Sequence, residues 1–385
     1  MEFELIDTEQ GLEDVVAHVA AAPWIGIDTE FVRERTYFPK LCLIQIAFPD
    51  RLVIVDAIAI GDLRSLFHSF QSSDVRCIFH AATQDLEVFW HEAEMLPRLV
   101  HDTQLGAAFL GLGEQLGYAA LVEMLFSVRL AKTHTRTNWA GRPLSTAALN
   151  YAAEDVLFLG EICSRQIEAL EKSGKRAWYE EAVTALLQPA LYEVAPEQAW
   201  RKIKGIRQCR GREWLVVSRL AAWREREAAR RNVPRQWLLR DEALLALSRK
   251  RTLTRAKVAE FARQSKVRLA PEDLDALISA AATPLAGVDE QQPHADAGPK
   301  REPSAAQDAL VDALMAWSRQ RSMDIEISLN QLATRQQLQQ FVLDPVNSEL
   351  CRGWRSAALG EDLLAFMEGR KALFVDRNRL KFTPR

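Results

Sequence analysis

Four carboxylates and one phenol stand at spacings suited to holding metal ions beside a phosphoryl group. The apolar run Trp24-Ile25-Gly26-Ile27 ends in Asp28-Thr29-Glu30. In a strand, side chains two apart point the same way, so Asp28 and Glu30 share a face. Two acids on one face repel and raise each other's pKa unless a cation, typically divalent, lies between them. An isolated Asp-x-Glu is more often a strand ending in solvent, so this pair gains meaning only from its company. Asp85 falls in the first turn of a helix expected after the β-like run Val75 to Phe79, with Thr83 as its candidate cap. By itself it would merely complement the helix dipole. Tyr151 and Asp155 are four apart on a helix expected from a Ser145 cap to about Leu170, and so project from one face.

Together these groups could form an all-oxygen pocket, and hard oxygen ligands select magnesium or manganese over zinc. Two such ions roughly 3.5 to 4 Å apart can activate a water and stabilise the leaving oxygen of an in-line phosphoryl displacement. A phenol with a pKa near 10 is a poor free base at neutral pH, so orienting the attacking water is the role that suits Tyr151.

The elements that must position these residues read as an α/β arrangement. Strands are expected at 3 to 5, 24 to 30, 41 to 48, 51 to 55 and 75 to 79, the third and fourth joined by a Pro49-Asp50 turn as a hairpin. Helices are expected at 9 to 20, 63 to 70, 103 to 110 and 119 to 125. The loop 132 to 143 mixes cations, hydroxyls, an amide and an indole, a composition suited to phosphate and base contact.

Charge is distributed unevenly along the 385 residues. Residues 201 to 270 hold 21 Lys and Arg against 6 Asp and Glu, a net +15, so the remainder carries −18 of the overall −3. A basic module on an acidic body is the electrostatic footprint of a polyanion partner, nucleic acid first. Five cysteines without CxxC pairing fit a reducing cytosol, and no segment has the apolar length to span a bilayer. A soluble, cytoplasmic protein without a membrane partner is expected. The absence of a heptad seam points to a monomer.

The motifs resemble a known family. Asp28-Thr29-Glu30-Phe31, followed by Arg35-Thr36-Tyr37-Phe38-Pro39 and Leu43-Ile44-Gln45, is similar to the first exonuclease motif of ribonuclease D, in the DEDD superfamily of 3′ to 5′ exonucleases. His80 to Phe89 resembles the second motif, and Tyr151-Ala152-Ala153-Glu154-Asp155 the third in its tyrosine form. The resemblance covers about residues 1 to 200. It implies a ribonuclease H-like exonuclease fold, a mixed sheet flanked by helices, with two Mg2+ or Mn2+ ions per site. It further implies release of nucleoside 5′-monophosphates from the 3′ ends of structured RNA, precursor tRNA foremost. Asp28, Glu30, Asp85 and Asp155 carry over as metal ligands and Tyr151 as the water-positioning residue. Phe31, Tyr37, Gln45, His80, Lys132 and Arg142 are weaker candidates for substrate contact.

Beyond residue 198 the chain reads as helical. Trp200-Arg201-Lys202-Ile203-Lys204-Gly205 resembles the entry to an HRDC domain. The expected organisation is an exonuclease domain at 1–198, a basic HRDC domain at 199–282, a linker at 283–305 and a second small all-α HRDC-like domain at 306–385. On this organisation the basic module tethers the RNA body while its 3′ end enters the acidic site, and removing residues 201 to 385 should mainly weaken binding.

Overall fold

The computed structural model describes residues 2–130, 137–265, 267, 269–285 and 303–384. They fall into two compact units. Met1–Val32, Leu41–Tyr192 and Pro303–Arg385 form one, and Arg33–Lys40 with Glu193–Glu302 the other. The centre of the expected linker lies outside the described residues.

In chain order the first unit begins with β1 (Glu4–Ile6), α1 (Glu9–Ala21), β2 (Trp24–Val32), β3 (Lys40–Ala47) and β4 (Leu52–Asp56). Next come α2 (Ala57–Ile60), α3 (Arg64–Ser72), β5 (Arg76–Phe79), α4 (Thr83–Ala93), β6 (Leu99–Asp102), α5 (Thr103–Phe109) and α6 (Tyr118–Phe126). Three further helices, α7 (Thr146–Glu154), α8 (Leu159–Lys172) and α9 (Arg176–Leu186), follow. The six strands lie in the order β1-β4-β3-β2-β5-β6. β1 runs parallel to β4, β3 antiparallel to β4, and β2 and β6 parallel to β5, so the sheet is mixed.

Period-two alternation decides what each face of the sheet carries. Ile25 and Ile27 of β2, with Ile44 and Ile46 of β3, join Val15 of α1, Phe70 of α3 and Phe89 of α4 in one core. Full burial of such side chains is worth about 1.5 to 3 kcal/mol each. The opposite face packs Leu43 and Ala47 of β3 against Ala152 of α7 and Leu159 of α8. Gly26, Asp28 and Glu30 belong to that second face.

The helix expected from 145 to about 170 is two helices. Ser145 does cap the first, its hydroxyl accepting from Ala148 N, but α7 stops at Glu154 and α8 starts at Leu159. The break lets α8 lie close on β2 where two glycines leave room. A Cβ on Gly26 would sit 3.0 Å from Leu159 Cβ, and one on Gly160 would enter the Trp24 ring at 2.2 Å.

The C-terminal segment belongs to the same unit. Its helices α15 (Ala305–Asp324), α16 (Leu329–Leu332), α17 (Arg335–Leu343), α18 (Gly353–Arg355) and α19 (Glu361–Met367) lead to β7 (Lys371–Asp376) and β8 (Arg379–Pro384). Leu314, Trp317, Phe341 and Trp354 share one core with Phe109, Leu170, Tyr179 and Val183 of α5, α8 and α9. Residues 306–385 are therefore not set apart from the unit of the six-stranded sheet as a module of their own. Nor are they all-α, because β7 and β8 pair as an antiparallel hairpin. Arg377 and Asn378 turn it with φ of 47° and 63°, the two positive values that a tight two-residue hairpin turn requires.

The second unit is helical, with α10 (Gly211–Arg231), α11 (Arg235–Leu238), α12 (Asp241–Ser248), α13 (Arg255–Gln264) and α14 (Pro271–Ala282). Between α11 and α12 the chain is interrupted at Leu239, which is extended at φ −152°. Trp200, Trp214, Leu220, Leu244, Val258 and Leu277 build its core. The aromatic loop 33–40 is part of this unit. Tyr37 donates its phenol to Glu225 at 2.6 Å, and the Asn232 amide oxygen accepts from the Tyr37 and Phe38 backbone. Among the described residues no helix is long and apolar enough to cross a membrane.

Candidate active site

The acids arrive from three directions. Asp28 and Glu30 stand on β2, and Asp155 follows the last turn of α7, close to where α8 meets β2. Ligand oxygens of Asp28, Glu30 and Asp155 all lie within 4.8 Å of one another. Asp85 comes from the first turn of α4 and is buried. Thr29 faces the other way from its two acidic neighbours and donates to Asp85 Oδ1 at 2.5 Å. The structure thus gathers three of the four acids into one potential ligand cluster, with the fourth beside Asp28 and held by a hydroxyl.

Thr83 does not cap α4. Asp102 does the corresponding work from the end of β6, accepting from Ala81 N at 3.1 Å and Ala82 N at 3.0 Å while also taking Gln104 N and Leu105 N. Ala81 has φ 64°, a left-handed conformation that alanine adopts only at a cost of about 1 to 2 kcal/mol. Its bond to Asp102 offsets that cost and aims α4, and so Asp85, at β2.

Gathering the acids makes their ionisation unfavourable. Asp28 is pushed well above its ordinary value, by burial first and then by Asp85, Asp155 and Glu30. Burial, then Asp155 and Asp85, raise Glu30 from 4.5 to about 8, against a hydrogen bond from Trp139. Asp85 rises to about 7 through burial, opposed by the Thr29 hydroxyl. Burial and then Glu154 raise Asp155 to about 7, opposed by Tyr151. Asp155 also sits at a helix C-terminus, where the macrodipole disfavours negative charge. A bound cation would offset both the burial and the mutual repulsion of these acids, and an all-carboxylate donor set suits a hard divalent ion.

Tyr151 lies one turn before Asp155 and donates its hydroxyl to it. Burial, then Asp155, Glu30 and Asp28, push its own pKa well above 10, so it keeps its proton at neutral pH. The Trp139 ring lies nearly parallel to it, centroids 6.3 Å apart, and the indole N–H reaches Glu30. Trp139 therefore contacts both Glu30 and the phenol. In sequence it was visible only as one member of a polar loop.

The weaker candidates have varied surroundings. Arg142 is bound within the protein: Nε and Nη2 each meet an Asp56 oxygen at 2.6 Å, and carbonyls of Trp139, Gly141 and Cys42 take the remaining contacts. It anchors the 137–143 loop to the end of β4, and its fork is not free to meet phosphate. His80 has both ring nitrogens engaged, Nδ1 with Thr103 Oγ1 and Nε2 with Leu116 O, each at 2.9 Å. Gln45 is fully buried on β3, with neither amide atom hydrogen-bonded. Phe31 packs half-buried against the first core, and Tyr37 is held by Glu225. Lys132 lies outside the described residues.

Comparison with known proteins places this geometry. A 3′-5′ exonuclease family matches residues 3–169, and the HRDC domain family matches residues 215–270. The ribonuclease D of Gluconacetobacter diazotrophicus is 37% identical over 99% of this chain and 96% of its own length. That of Nitrobacter hamburgensis is 34% identical over 98% of both chains. The crystal structure of Escherichia coli RNase D, described as an exoribonuclease involved in structured RNA processing, matches with a TM-score of 0.79. It is 30% identical and aligns over 96% of this chain and 99% of that one.

Proposed function

The chain belongs to the ribonuclease D family of 3′ to 5′ exoribonucleases, and we propose that it trims 3′ extensions from structured RNA, precursor tRNA foremost, by two-metal hydrolysis. The observation that carries the reading is the convergence of Asp28, Glu30 and Asp155 oxygens within 4.8 Å, with Asp85 alongside. These four carboxylates would hold Mg2+ or Mn2+, and two such ions would supply an activated water and charge stabilisation at the leaving oxygen.

The protein's own groups do the positioning. Tyr151, protonated and donating to Asp155, presents its hydroxyl oxygen as an acceptor that orients the attacking water. Trp139 holds Glu30 and stacks on Tyr151, limiting the freedom of both. Asp102 and Thr29 fix Asp85. The products are nucleoside 5′-monophosphates, because water attacks phosphorus in line with the 3′ oxygen of the penultimate nucleotide and the P–O3′ bond breaks, which leaves the phosphate on the departing nucleotide and a 3′-hydroxyl on the shortened RNA.

RNA binding beyond the scissile end falls to the basic module. Its +15 charge supplies a salt-dependent grip that an acidic body cannot. The five cysteines are all free thiols, which supports a cytoplasmic protein.

The test is product release from a 3′-end-labelled single-stranded RNA with Mg2+ or Mn2+, run beside Asp28→Asn and beside a DNA strand of the same sequence. Stepwise loss of 5′-mononucleotides from RNA, abolished by the substitution and by chelation, is the expected result. RNA bound without any release would turn the reading into that of a binding module.

A further inference from the structure

The chain has ten tryptophans, and Trp237 alone among them is mostly exposed, at 60%. Its neighbours explain the orientation. Leu238 and Leu239 turn into the helical core at 7% and 1% exposure, so the short helix α11 presents Trp237 on its outer side. An indole left in water forgoes much of the largest apolar burial that any side chain offers. Nothing in the packing of this unit demands it.

The ring borders a groove of about 920 Å³ lined also by Gln236, Leu239, Arg240, Phe261 and Ser265. Arg240 is exposed and forms no ion pair among the described residues. Lys250 does not line the groove but stands over the ring of Phe261, which does, its Nζ 6.0 Å from the centroid. One acid, Glu242, lines the groove as well. The surrounding module carries the +15 net charge. An exposed flat aromatic, flanked by cations on a strongly basic surface, is the combination that binds single-stranded nucleic acid: bases stack on the ring while phosphates meet the charges.

We propose that Trp237 is a stacking platform for an unpaired base of the RNA, with Arg240 and Lys250 holding the adjoining phosphates. The proposal rests on the exoribonuclease reading and adds to it a specific contact on the helical module. The platform grips the RNA body while its 3′ end is consumed at the acidic site, so its effect lies in affinity and not in the chemical step. Its charge selects a polyanion over an apolar protein segment.

The experiment uses the full chain carrying Glu30→Gln, so that bound RNA is not degraded. Fluorescence anisotropy measures binding of a labelled unstructured RNA of about 15 nucleotides, and of a set in which each position in turn is abasic. Trp237→Ala should weaken binding about 5- to 100-fold, and Trp237→Phe should restore most of it. The parent should be sensitive to an abasic site at one or two positions, and Trp237→Ala should lose that sensitivity. Arg240→Ala should reduce the slope of log affinity against log salt by about one.

Equal RNA affinity of Trp237→Ala and its parent would overturn the platform while leaving the nuclease reading intact. A change in sedimentation of Trp237→Ala without any change in RNA binding would also overturn it, by showing that the indole meets a second copy. Failure of the nuclease reading looks different, because the unmodified protein would then release no mononucleotide from any RNA.

Discussion

Replacing Glu30 by Gln should stabilise the metal-free protein at alkaline pH. In the folded chain its carboxyl is displaced from 4.5 to about 8 by burial and by Asp155 and Asp85. The folded state then holds that proton more tightly than the unfolded chain. The resulting stability is fully present below about pH 4.5 and is lost as pH rises through about 8. At about 1.4 kcal/mol for each tenfold change, the whole displacement corresponds to about 5 kcal/mol. Glu30 is half-buried and water screens part of the repulsion, which brings the expected gain to about 2 to 3 kcal/mol. Gln keeps the shape and still accepts from Trp139, but it carries no charge at any pH.

At about 2 °C per kcal/mol for a unit of this size, Glu30→Gln in EDTA at pH 8.5 should melt roughly 5 °C above the unmodified protein. The gap should close as pH falls toward 5, where the native carboxyl is itself protonated. Scanning fluorimetry across pH 5 to 9 reads both effects. Millimolar Mg2+ should then reverse the order, because binding to the native site stabilises the unmodified protein by mass action and the variant has lost a ligand. A variant that melts lower in EDTA at pH 8.5, or an offset that does not change with pH, would refute the claim that these acids repel one another in the folded chain.

Other substitutions test the remaining assignments. Asp28→Asn should lower kcat by at least about 1000-fold, since losing a central ligand removes several kcal/mol of stabilisation at the reacting phosphate, and single-turnover release of mononucleotide measures it. Tyr151→Phe removes only the hydroxyl proposed to orient water and should reduce kcat about 10- to 100-fold with KM within twofold. Arg142→Ala leaves the buried Asp56 carboxylate without its bidentate partner and should destabilise by about 2 to 4 kcal/mol. A normal melting temperature with a raised KM would instead make Arg142 a substrate contact. Trp354→Ala should destabilise the nuclease unit by about 3 to 5 kcal/mol in denaturant titration, because Trp354 packs on Phe109 at 4.8 Å. The same contact means that deleting residues 201–385 uncovers Phe109, Tyr179 and Val183, so that truncation cannot report on RNA tethering alone.

Part of the candidate site was legible because it depends on residue type at short spacing. Asp28 and Glu30 two apart on a strand, and Tyr151 and Asp155 four apart on a helix, are on common faces whatever the rest of the chain does. The basic character of residues 201 to 270 and the alternation along β2 and β3 are likewise properties of local sequence. Long-range contacts carry no such local mark. Asp102, 17 residues after Asp85 in sequence, becomes the cap of the turn before α4 only when β6 pairs with β5. Trp139 meets Glu30, and Arg142 meets Asp56, across separations that no periodicity encodes. The break between α7 and α8 follows from the close approach that Gly26 and Gly160 permit.

The assignment of residues 303–385 to the nuclease unit was decided in the same way. The apolar stripes of α15 and α17 announce a buried face but not its partner, and that partner is the surface of α5, α8 and α9. Sequence by itself determined which groups are present and which neighbours they share within an element, since both follow from covalent order and helical or strand period. Tertiary structure alone decided which elements meet. Burial and charge at a site depend on every surface that closes over it, and those surfaces come from distant parts of the chain.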